Sequence, residues 1–258
     1  FITSILGFSN EYDTVFCHMN PEYVLAGGWW WKLTGKRVGL WYVHGSVTLR
    51  LRAALALVDV VCTANAESFG IKSPKVHVVG HGIDTDYFTS GYRLPHKEKL
   101  VIVAGRMAPS KQPKLIAEAL VIARERVPVR ATFEFVAEIK DVEFLKYVGP
   151  QPHTFVRDAV SAADLFVNVS RTQSLDKAVL EAMASGTVPL TTNRAFRSML
   201  EPLGLFVESD SPEVLADVIV AVSERPDFES LRTKVRDIVV REHSLAALIP
   251  RIISTLSA

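Results

Sequence analysis

The stretch SRTQSLDKAVLEAMASGTVPLTTN, residues 170–193, decides the fold that we predict for this chain. It follows an apolar strand at 165–169 and passes through a polar turn into a helix and then a second apolar strand. Ser174 is expected to be the N-cap of the helix, with Asp176 in the first turn, where the helix dipole favours an anion. Gly186 fits the position after the last helical turn, which often needs a left-handed backbone. Strand, helix and strand in this order predict a parallel α/β sheet.

One face of this helix is apolar at helical spacing and is expected to pack on the sheet. Glu181 falls beside that face, and the residue four positions later, Ser185, offers it no cation. Two interpretations of Glu181 stay open from the pattern: a solvated side chain, or a carboxylate that accepts hydrogen bonds from the hydroxyl groups of a ligand. The apolar face is formed by Leu175, Val179, Leu180 and Met183.

The composition is that of a globular protein with almost no net charge. Of the 258 residues, 48% are hydrophobic and 22% are charged, which excludes a disordered chain. The chain has 29 Lys and Arg residues and 28 Asp and Glu residues. The resulting net charge of +1 does not indicate binding to nucleic acid. Cys17 and Cys62 lie in apolar, strand-like segments without metal-ligand or redox spacing, so we expect buried thiols and no metal site.

The rest of the chain repeats the alternation of strands and helices, which predicts doubly wound parallel sheets. Residues 90–99 are polar and contain glycine and proline, so they are the best candidate for a linker. We therefore predict a first Rossmann-like domain at residues 1–90, a second at 91–242 and a final helix at 243–258, with a strand at 204–208. Because the chain starts inside an α/β pattern, we expect it to lack the beginning of the first domain.

Three histidines follow predicted strands of the first domain, each at the same end of its strand. Ligands of such sheets bind outside the carboxyl ends of the strands, so His18, His44 and His81, with the adjacent Gly82, are candidate site residues. A loop histidine is also a common solvated residue, and both interpretations stay open.

A helix that starts at Pro21 carries three consecutive tryptophans, residues 29–31. Three neighbours on a helix cannot all face one core, so at least one is expected to be exposed or to meet a partner. The helix either lies under a domain interface or contacts a membrane surface. In the second case Lys32, Lys36 and Arg37 would supply the positive charge.

A second candidate site lies in the segment GRMAPSK at residues 105–111, after the first strand of the second domain. Arg106 and Lys111 flank the start of the next helix, whose free N–H groups add to the two cations. Such a turn is suited to hold a phosphate group. From the residues alone, two exposed loop charges remain the alternative.

The run LEAMASGTVPLTT resembles a motif of retaining glycosyltransferases with the GT-B fold, in particular family 4 of the group 1 glycosyl transferases. In that family, two glutamates flank seven residues, and the second glutamate binds the ribose hydroxyls of the nucleotide sugar. Glu181 matches the second glutamate, while Gln173 stands in place of the first. Ser174 and Asp176 replace two glycines. The resemblance implies that the donor is contacted by Gln173, Ser174, Leu175 and Asp176. From its position three residues after Gln173, Asp176 is expected to supply a carboxylate to the same cleft if the register of the turn shifts.

The segment GRMAPSK is similar to the family's G-R-L-x-x-x-K-G, in which the arginine and the lysine neutralise the donor diphosphate. Gly105, Arg106 and Lys111 match this pattern by position. Gln112 stands where the family usually has glycine.

Three further resemblances concern other parts of the chain. The segment YVHG resembles the end of a strand whose histidine lies near the transferred sugar, which gives that role to His44. GHGIDTDYF resembles the end of the family's first domain, with His81 in place of an asparagine. The family holds the nucleobase mainly with backbone groups after a strand of the second domain, which places the base pocket at Val148 and Gly149. The implied fold is GT-B, two Rossmann-like domains facing a cleft, with the first domain incomplete.

The implied function is a retaining, metal-independent transferase of the hexosyltransferase type without a cofactor. It would move a sugar from a nucleoside diphosphate sugar to a glycan, a lipid-linked acceptor or a small molecule. Arg106, Lys111 and His44 are the expected catalytic residues, and no nucleic-acid partner is expected. A cytoplasmic location is implied, with contact at the inner face of the membrane as an open alternative. A non-catalytic GT-B partner subunit and a nucleotide-sugar 2-epimerase remain alternative functions.

Overall fold

The computed structural model describes residues 2–91, 97–104, 109–133, 143–172 and 174–258. The chain forms two compact units. Unit 1 consists of Phe1–Gly82 and Ala246–Ala258, and unit 2 consists of Ile83–Leu245. Each unit is built on its own parallel sheet, as the alternation of strands and helices predicts.

The sheet of unit 1 has four parallel strands in the order β1-β2-β3-β4. The strands are β1 (Thr14–His18), β2 (Arg37–Trp41), β3 (Val60–Thr63) and β4 (Val76–Val78). The helices of this unit are α1 (Ile2–Gly7), α2 (Pro21–Leu33), α3 (Leu49–Leu57) and, from Ala246 onward, the C-terminal helix α10 (Leu245–Ser257).

Helices cover both faces of this sheet. Leu40 belongs to a buried cluster with Val24 and Trp31 of α2, whereas the next residue of β2, Trp41, packs in a cluster with Leu248 of α10. Successive residues of a strand point to opposite faces, so α2 and α10 lie on different sides of the sheet. The burial of β2 on both faces explains its almost continuous apolar sequence.

The sheet of unit 2 has five parallel strands in the order β7-β6-β5-β8-β9. The strands are β5 (Lys99–Val103), β6 (Val129–Phe133), β7 (Leu145–Tyr147), β8 (Leu165–Asn168) and β9 (Val188–Thr191). The helices are α4 (Pro113–Arg124), α5 (His153–Ala162), α6 (Lys177–Ala184), α7 (Arg197–Leu200), α8 (Pro212–Ser223) and α9 (Phe228–Glu242). The chain adds strands on one side of β5 and then returns to its other side with β8, so the strand order reverses between β5 and β8. Open α/β sheets bind their ligands at this switch point, outside the carboxyl ends of the strands.

Local sequence explains where several helices begin. Pro21 and Pro113 occupy the first positions of α2 and α4, where a missing N–H costs nothing. The Thr48 side chain accepts a hydrogen bond from the N–H of Leu51 (3.1 Å) and caps α3. Ser211 caps α8 in the same way, although its bond to the Val214 N–H is longer, 3.5 Å.

Helix α6 starts later than the sequence predicts. The first helical residue is Lys177, so the prediction of Ser174 as N-cap is wrong, and Asp176 lies at the N-cap position rather than in the first turn. The Asp176 side chain caps no N–H of the helix. Tertiary hydrogen bonds hold residues 174 and 176 outside the helix, as described for the site below. At the other end, Gly186 has a φ of 68°, which confirms the predicted left-handed residue.

The predicted strand at 204–208 is wrong in the described part of the chain, where the segment forms only an isolated bridge between Phe206 and Thr191. Thr191 is the last residue of β9, so the neighbouring segment has no further strand residues to pair with. Helix α5 was not predicted, and Val160 is its one buried residue.

The tryptophans of α2 have different environments. Trp31 is 3% exposed and donates a hydrogen bond to the Tyr12 hydroxyl (3.1 Å), whereas Trp29 is 50% exposed. The prediction that the three cannot share one core is therefore confirmed. None of the helices in the described ranges combines the length and the hydropathy that crossing a membrane requires.

Candidate functional site

A polar cluster lies in unit 2 where β8 and β9 end. Ser170 comes two residues after β8 and is 2% exposed, and its Oγ lies 3.0 Å from Oγ1 of Thr172. The backbone N–H of Ser170 donates to Oγ1 of Thr192, just after β9 (3.1 Å). These bonds fix the polar turn after β8 against the end of the neighbouring strand.

Lys111 reaches this cluster from the start of α4. Its Nζ lies 2.5 Å from Oδ2 of Asp176 and 3.4 Å from Oγ of Ser170. The side chains of Lys111 and Asp176 are only 15% and 17% exposed. The cation predicted from the segment GRMAPSK is therefore held inside the protein at the ends of the strands, and is not a solvated loop charge.

Asn193 organises the turn before α6, and the sequence analysis did not single it out. Its amide N–H groups face the Ser174 carbonyl (3.0 Å) and Oδ2 of Asp176 (3.3 Å). Its Oδ1 accepts a hydrogen bond from the backbone N–H of Ala195 (3.1 Å), which fixes the orientation of the amide because a backbone N–H only donates. Asn193 is fully buried. The contact with Ser174 keeps this residue outside the helix, and the only sequence signal for such a role is an asparagine directly after an apolar strand.

A cavity of about 480 Å³ adjoins this cluster within unit 2. It is large enough for part of a small-molecule ligand. Its lining residues include hydroxyl groups of the cluster and charged residues of both signs: Ser170, Arg171, Thr172, Arg194, Glu208, Ser209 and Asp210.

Glu181 projects from α6 toward the beginning of α5. Its Oε1 lies 3.8 Å from Nε2 of His153, and its side chain is 16% exposed. The His153 ring stacks on Tyr87 with 5.5 Å between ring centroids and meets the edge of Phe88 at 5.3 Å. Glu181 is therefore partly buried beside an aromatic group and is not a freely solvated side chain. The sequence analysis predicted neither α5 nor a role for His153.

The loop between β7 and α5 carries the residues predicted to hold a base. The N–H of Val148 continues the sheet by donating to the Phe133 carbonyl (2.9 Å), and the Val148 carbonyl accepts from the Gln151 amide (2.7 Å). Gly149 has a φ of 69°, and a side chain there would meet no atom within 4 Å. The space beside the Gly149 backbone is thus open within the described part of unit 2.

The three predicted histidines of unit 1 all lie at the carboxyl ends of its strands: His18 is the last residue of β1, and His44 and His81 follow β2 and β4. His18 and His81 flank the Trp41 ring, with centroid distances of 6.3 Å and 6.0 Å. The N–H of Gly82 donates to Nδ1 of His81 (3.1 Å). His44 stands apart from this group and contacts Tyr42.

The ring of His44 has a defined tautomer when it is neutral. Its Nδ1 receives the backbone N–H of Ser46 at 3.2 Å and lies 2.9 Å from the Ser46 hydroxyl. A backbone N–H only donates, so Nδ1 is the acceptor and the proton is on Nε2. His44 is exposed and presents that N–H as a hydrogen-bond donor.

Three predicted site residues, Gly105, Arg106 and Gln173, lie outside the described residues. Leu175 is described and is 5% exposed, so only its backbone is placed to meet a ligand.

The two thiols are unsuited to nucleophilic chemistry. Burial raises the pKa of Cys17 and of Cys62 to about 11, so both are protonated at neutral pH. Within the described ranges, no three His, Cys, Asp or Glu side chains cluster in a way that could hold a metal ion.

Comparison with known proteins shows which family and which solved structures parts of this chain resemble. Residues 98–225 match the model of the family described as Glycosyl transferases group 1. A D-inositol 3-phosphate glycosyltransferase from Jonesia denitrificans is 26% identical, with the alignment covering 63% of this chain and 46% of that protein. The chain thus spans less than half the length of this curated relative.

Solved structures with the GT-B fold superpose on nearly the whole chain. HepE from Anabaena, in complex with UDP and glucose, gives a TM-score of 0.77 at 15% identity and covers 100% of this chain and 81% of that one. Sucrose-phosphate synthase from Thermosynechococcus elongatus gives a TM-score of 0.73 at 17% identity, covering 98% of this chain and 75% of that one. The predicted fold class, two Rossmann-like domains with parallel sheets of the GT-B class, is confirmed.

Proposed function

We propose that this chain is the donor-binding part of a glycosyltransferase that takes a sugar from a nucleoside diphosphate sugar and retains its anomeric configuration. One observation carries the proposal. Lys111, in a segment that resembles a diphosphate-binding motif, is held at the carboxyl ends of the strands of unit 2, beside Ser170. The match of residues 98–225 to group 1 glycosyl transferases supports it.

The chemistry explains why a cation belongs at this place. When the bond between the sugar and the nucleoside diphosphate breaks, negative charge develops on the departing phosphate oxygen. A preorganised ammonium group in a partly buried site stabilises that charge without having to reorganise. Lys111 is assigned this role, together with Arg106 on the grounds of the motif.

The nucleoside is assigned to the region between α6 and the loop before α5. Glu181 is proposed to accept hydrogen bonds from the ribose hydroxyls, since its carboxylate is an acceptor only. The open space beside the backbone of Gly149 would take the base, next to Val148. In unit 1, His44 is proposed to donate its Nε2–H to a hydroxyl of the transferred sugar.

Turnover is expected to be independent of divalent metal ions, because a lysine side chain supplies positive charge at the proposed diphosphate site. The test is transfer activity after exhaustive treatment with EDTA, compared with samples given excess magnesium or manganese. Equal rates are expected. Loss of activity with EDTA that either ion restores would show that a metal carries the diphosphate charge.

The proposal as a whole is tested by following UDP- and GDP-sugars with mass spectrometry, with and without a mixture of glycan and lipid-linked acceptors. Release of nucleoside diphosphate together with a glycosylated acceptor is the expected result. Conversion of the donor sugar into an isomer without acceptor would identify an epimerase. Donors that stay intact under all conditions, with no binding by calorimetry, would identify a non-catalytic subunit.

A further inference from the structure

The cation of the proposed diphosphate site already has an anionic partner within the chain. Oδ2 of Asp176 lies 2.5 Å from Nζ of Lys111, and both side chains are largely buried. The two residues are 65 positions apart in the sequence, so the contact depends on the tertiary fold. A partly buried ammonium with a carboxylate at this distance is substantially neutralised before any ligand arrives.

The carboxylate has a second anchor that does not depend on Lys111. The amide of Asn193 lies 3.3 Å from the same Oδ2 atom, and Asn193 is itself fixed by the N–H of Ala195. Asp176 also lies at the N-cap of α6 without using its side chain as a cap. Loss of the contact with Lys111 would therefore leave the carboxylate its contact with Asn193 and would cost no hydrogen bond of the helix.

A phosphate oxygen and a carboxylate oxygen compete for the same donor. Both are anionic acceptors that approach an ammonium group to less than 3 Å. A diphosphate brings more negative charge than a single carboxylate, so it is the stronger partner for Lys111, whereas a carboxylate attached to the chain is always present at high local concentration.

We propose that Asp176 is an internal competitor for the diphosphate of the donor, an inference that rests on the proposed function of the site. In the empty site Asp176 occupies Lys111. The donor must displace the carboxylate, which favours ligands with a diphosphate over those with a single phosphate. After transfer, the carboxylate returns to Lys111 and promotes release of the nucleoside diphosphate.

The test is calorimetry on the whole chain with UDP, GDP and inorganic pyrophosphate. The informative variant is Asp176→Asn, which removes the competing charge and keeps the shape of the side chain. It is expected to bind pyrophosphate and the preferred nucleoside diphosphate about tenfold tighter than the original chain, as removal of an ionic competitor implies. Asp176→Ser is a second variant in case the first fails to fold, because serine is equally suited to the N-cap position.

Asp217→Asn is the matched control. Asp217 is also an acidic residue of unit 2; it lies on α8, is 66% exposed and pairs with Arg126. The control removes the same charge but leaves the bond between Lys111 and Asp176 intact. Its affinity for pyrophosphate is expected to stay within about twofold of that of the original chain, because exposed ion pairs contribute little.

The outcomes separate this inference from the proposed function. Asp176→Asn could bind pyrophosphate more tightly than the original chain does, but bind no nucleoside diphosphate more tightly than it binds pyrophosphate. In that case the role of Asp176 as a competitor is confirmed and the assignment of a nucleotide-sugar donor is wrong. If the variant binds pyrophosphate and nucleoside diphosphates no tighter than the original chain, or binds none of them, the inference is overturned. An equal gain in Asp217→Asn would also overturn it, because the gain would then come from the change in net charge and not from the loss of the bond to Lys111.

Discussion

Replacement of Lys111 by methionine is expected to weaken the binding of nucleoside diphosphates by about tenfold or more. The substitution keeps the apolar stem and removes a charge-assisted hydrogen bond to the phosphate, which is worth about 1.5–3 kcal/mol. Pyrophosphate binding should fall by a similar factor, because the lysine contacts the diphosphate and not the nucleoside. Calorimetry on the folded variant, with folding verified by thermal unfolding, is the measurement.

A matched control for this substitution lies three residues later, in the first turn of α4. Lys114→Met removes a lysine that is 70% exposed and faces Glu118 at 3.9 Å. It should leave binding of UDP and GDP unchanged, since exposed pairs of this kind contribute about 0.5 kcal/mol or less. If Lys111→Met and Lys114→Met behave alike, the assignment of the diphosphate to Lys111 is wrong.

Glu181→Gln is expected to weaken the binding of nucleoside diphosphates by about tenfold and to leave the binding of pyrophosphate unchanged. The substitution preserves shape but exchanges one anionic acceptor oxygen for an amide N–H₂, so the carboxylate hydrogen bonds to the ribose, worth about 1.5–3 kcal/mol, are lost. The difference between the two ligands is the informative quantity. If pyrophosphate binding falls in parallel, Glu181 contacts the phosphates and not the ribose. The control is Glu118→Gln, on the surface of α4.

The sequence predicted the sheets well because apolar strands and amphipathic helices are local patterns. The strand predicted at 165–169 is observed at Leu165–Asn168, and the helix predicted to start at Pro21 starts there. Parallel strand order follows from the alternation itself, since each crossover helix returns the chain to the same end of the sheet. The positions of Lys111 and of the histidines at the carboxyl ends of strands were predictable for the same reason.

The details of the site depend on contacts between distant residues, which no local pattern contains. Asn193 holds the Ser174 carbonyl outside the helix, which is why the N-cap prediction failed. The ion pair between Lys111 and Asp176 joins two turns that are separated by most of a domain in sequence. The sequence alone predicts only that Asp176 supplies a carboxylate to the donor site, and it does not predict the contact with Lys111.

The backbone at Gln112 has a conformation that favours glycine. The motif that this segment resembles usually has glycine here, and the φ of Gln112 is 43°, in the left-handed region. A side chain there costs about 1–2 kcal/mol relative to an ordinary backbone. The bond from its amide to Asp210 offsets part of that cost. The strain lies directly beside Lys111, in the turn that positions it.

The central claim, that unit 2 binds a nucleoside diphosphate, is tested most directly by titrating the chain with UDP, GDP, ADP and inorganic pyrophosphate in the presence of EDTA. At least one of the three nucleotides is expected to bind saturably, with one site per chain, and more tightly than pyrophosphate, because Glu181 and the loop at Gly149 add contacts to those of Lys111. If none of the nucleotides binds more tightly than pyrophosphate, the assignment of this site to a nucleotide sugar is contradicted.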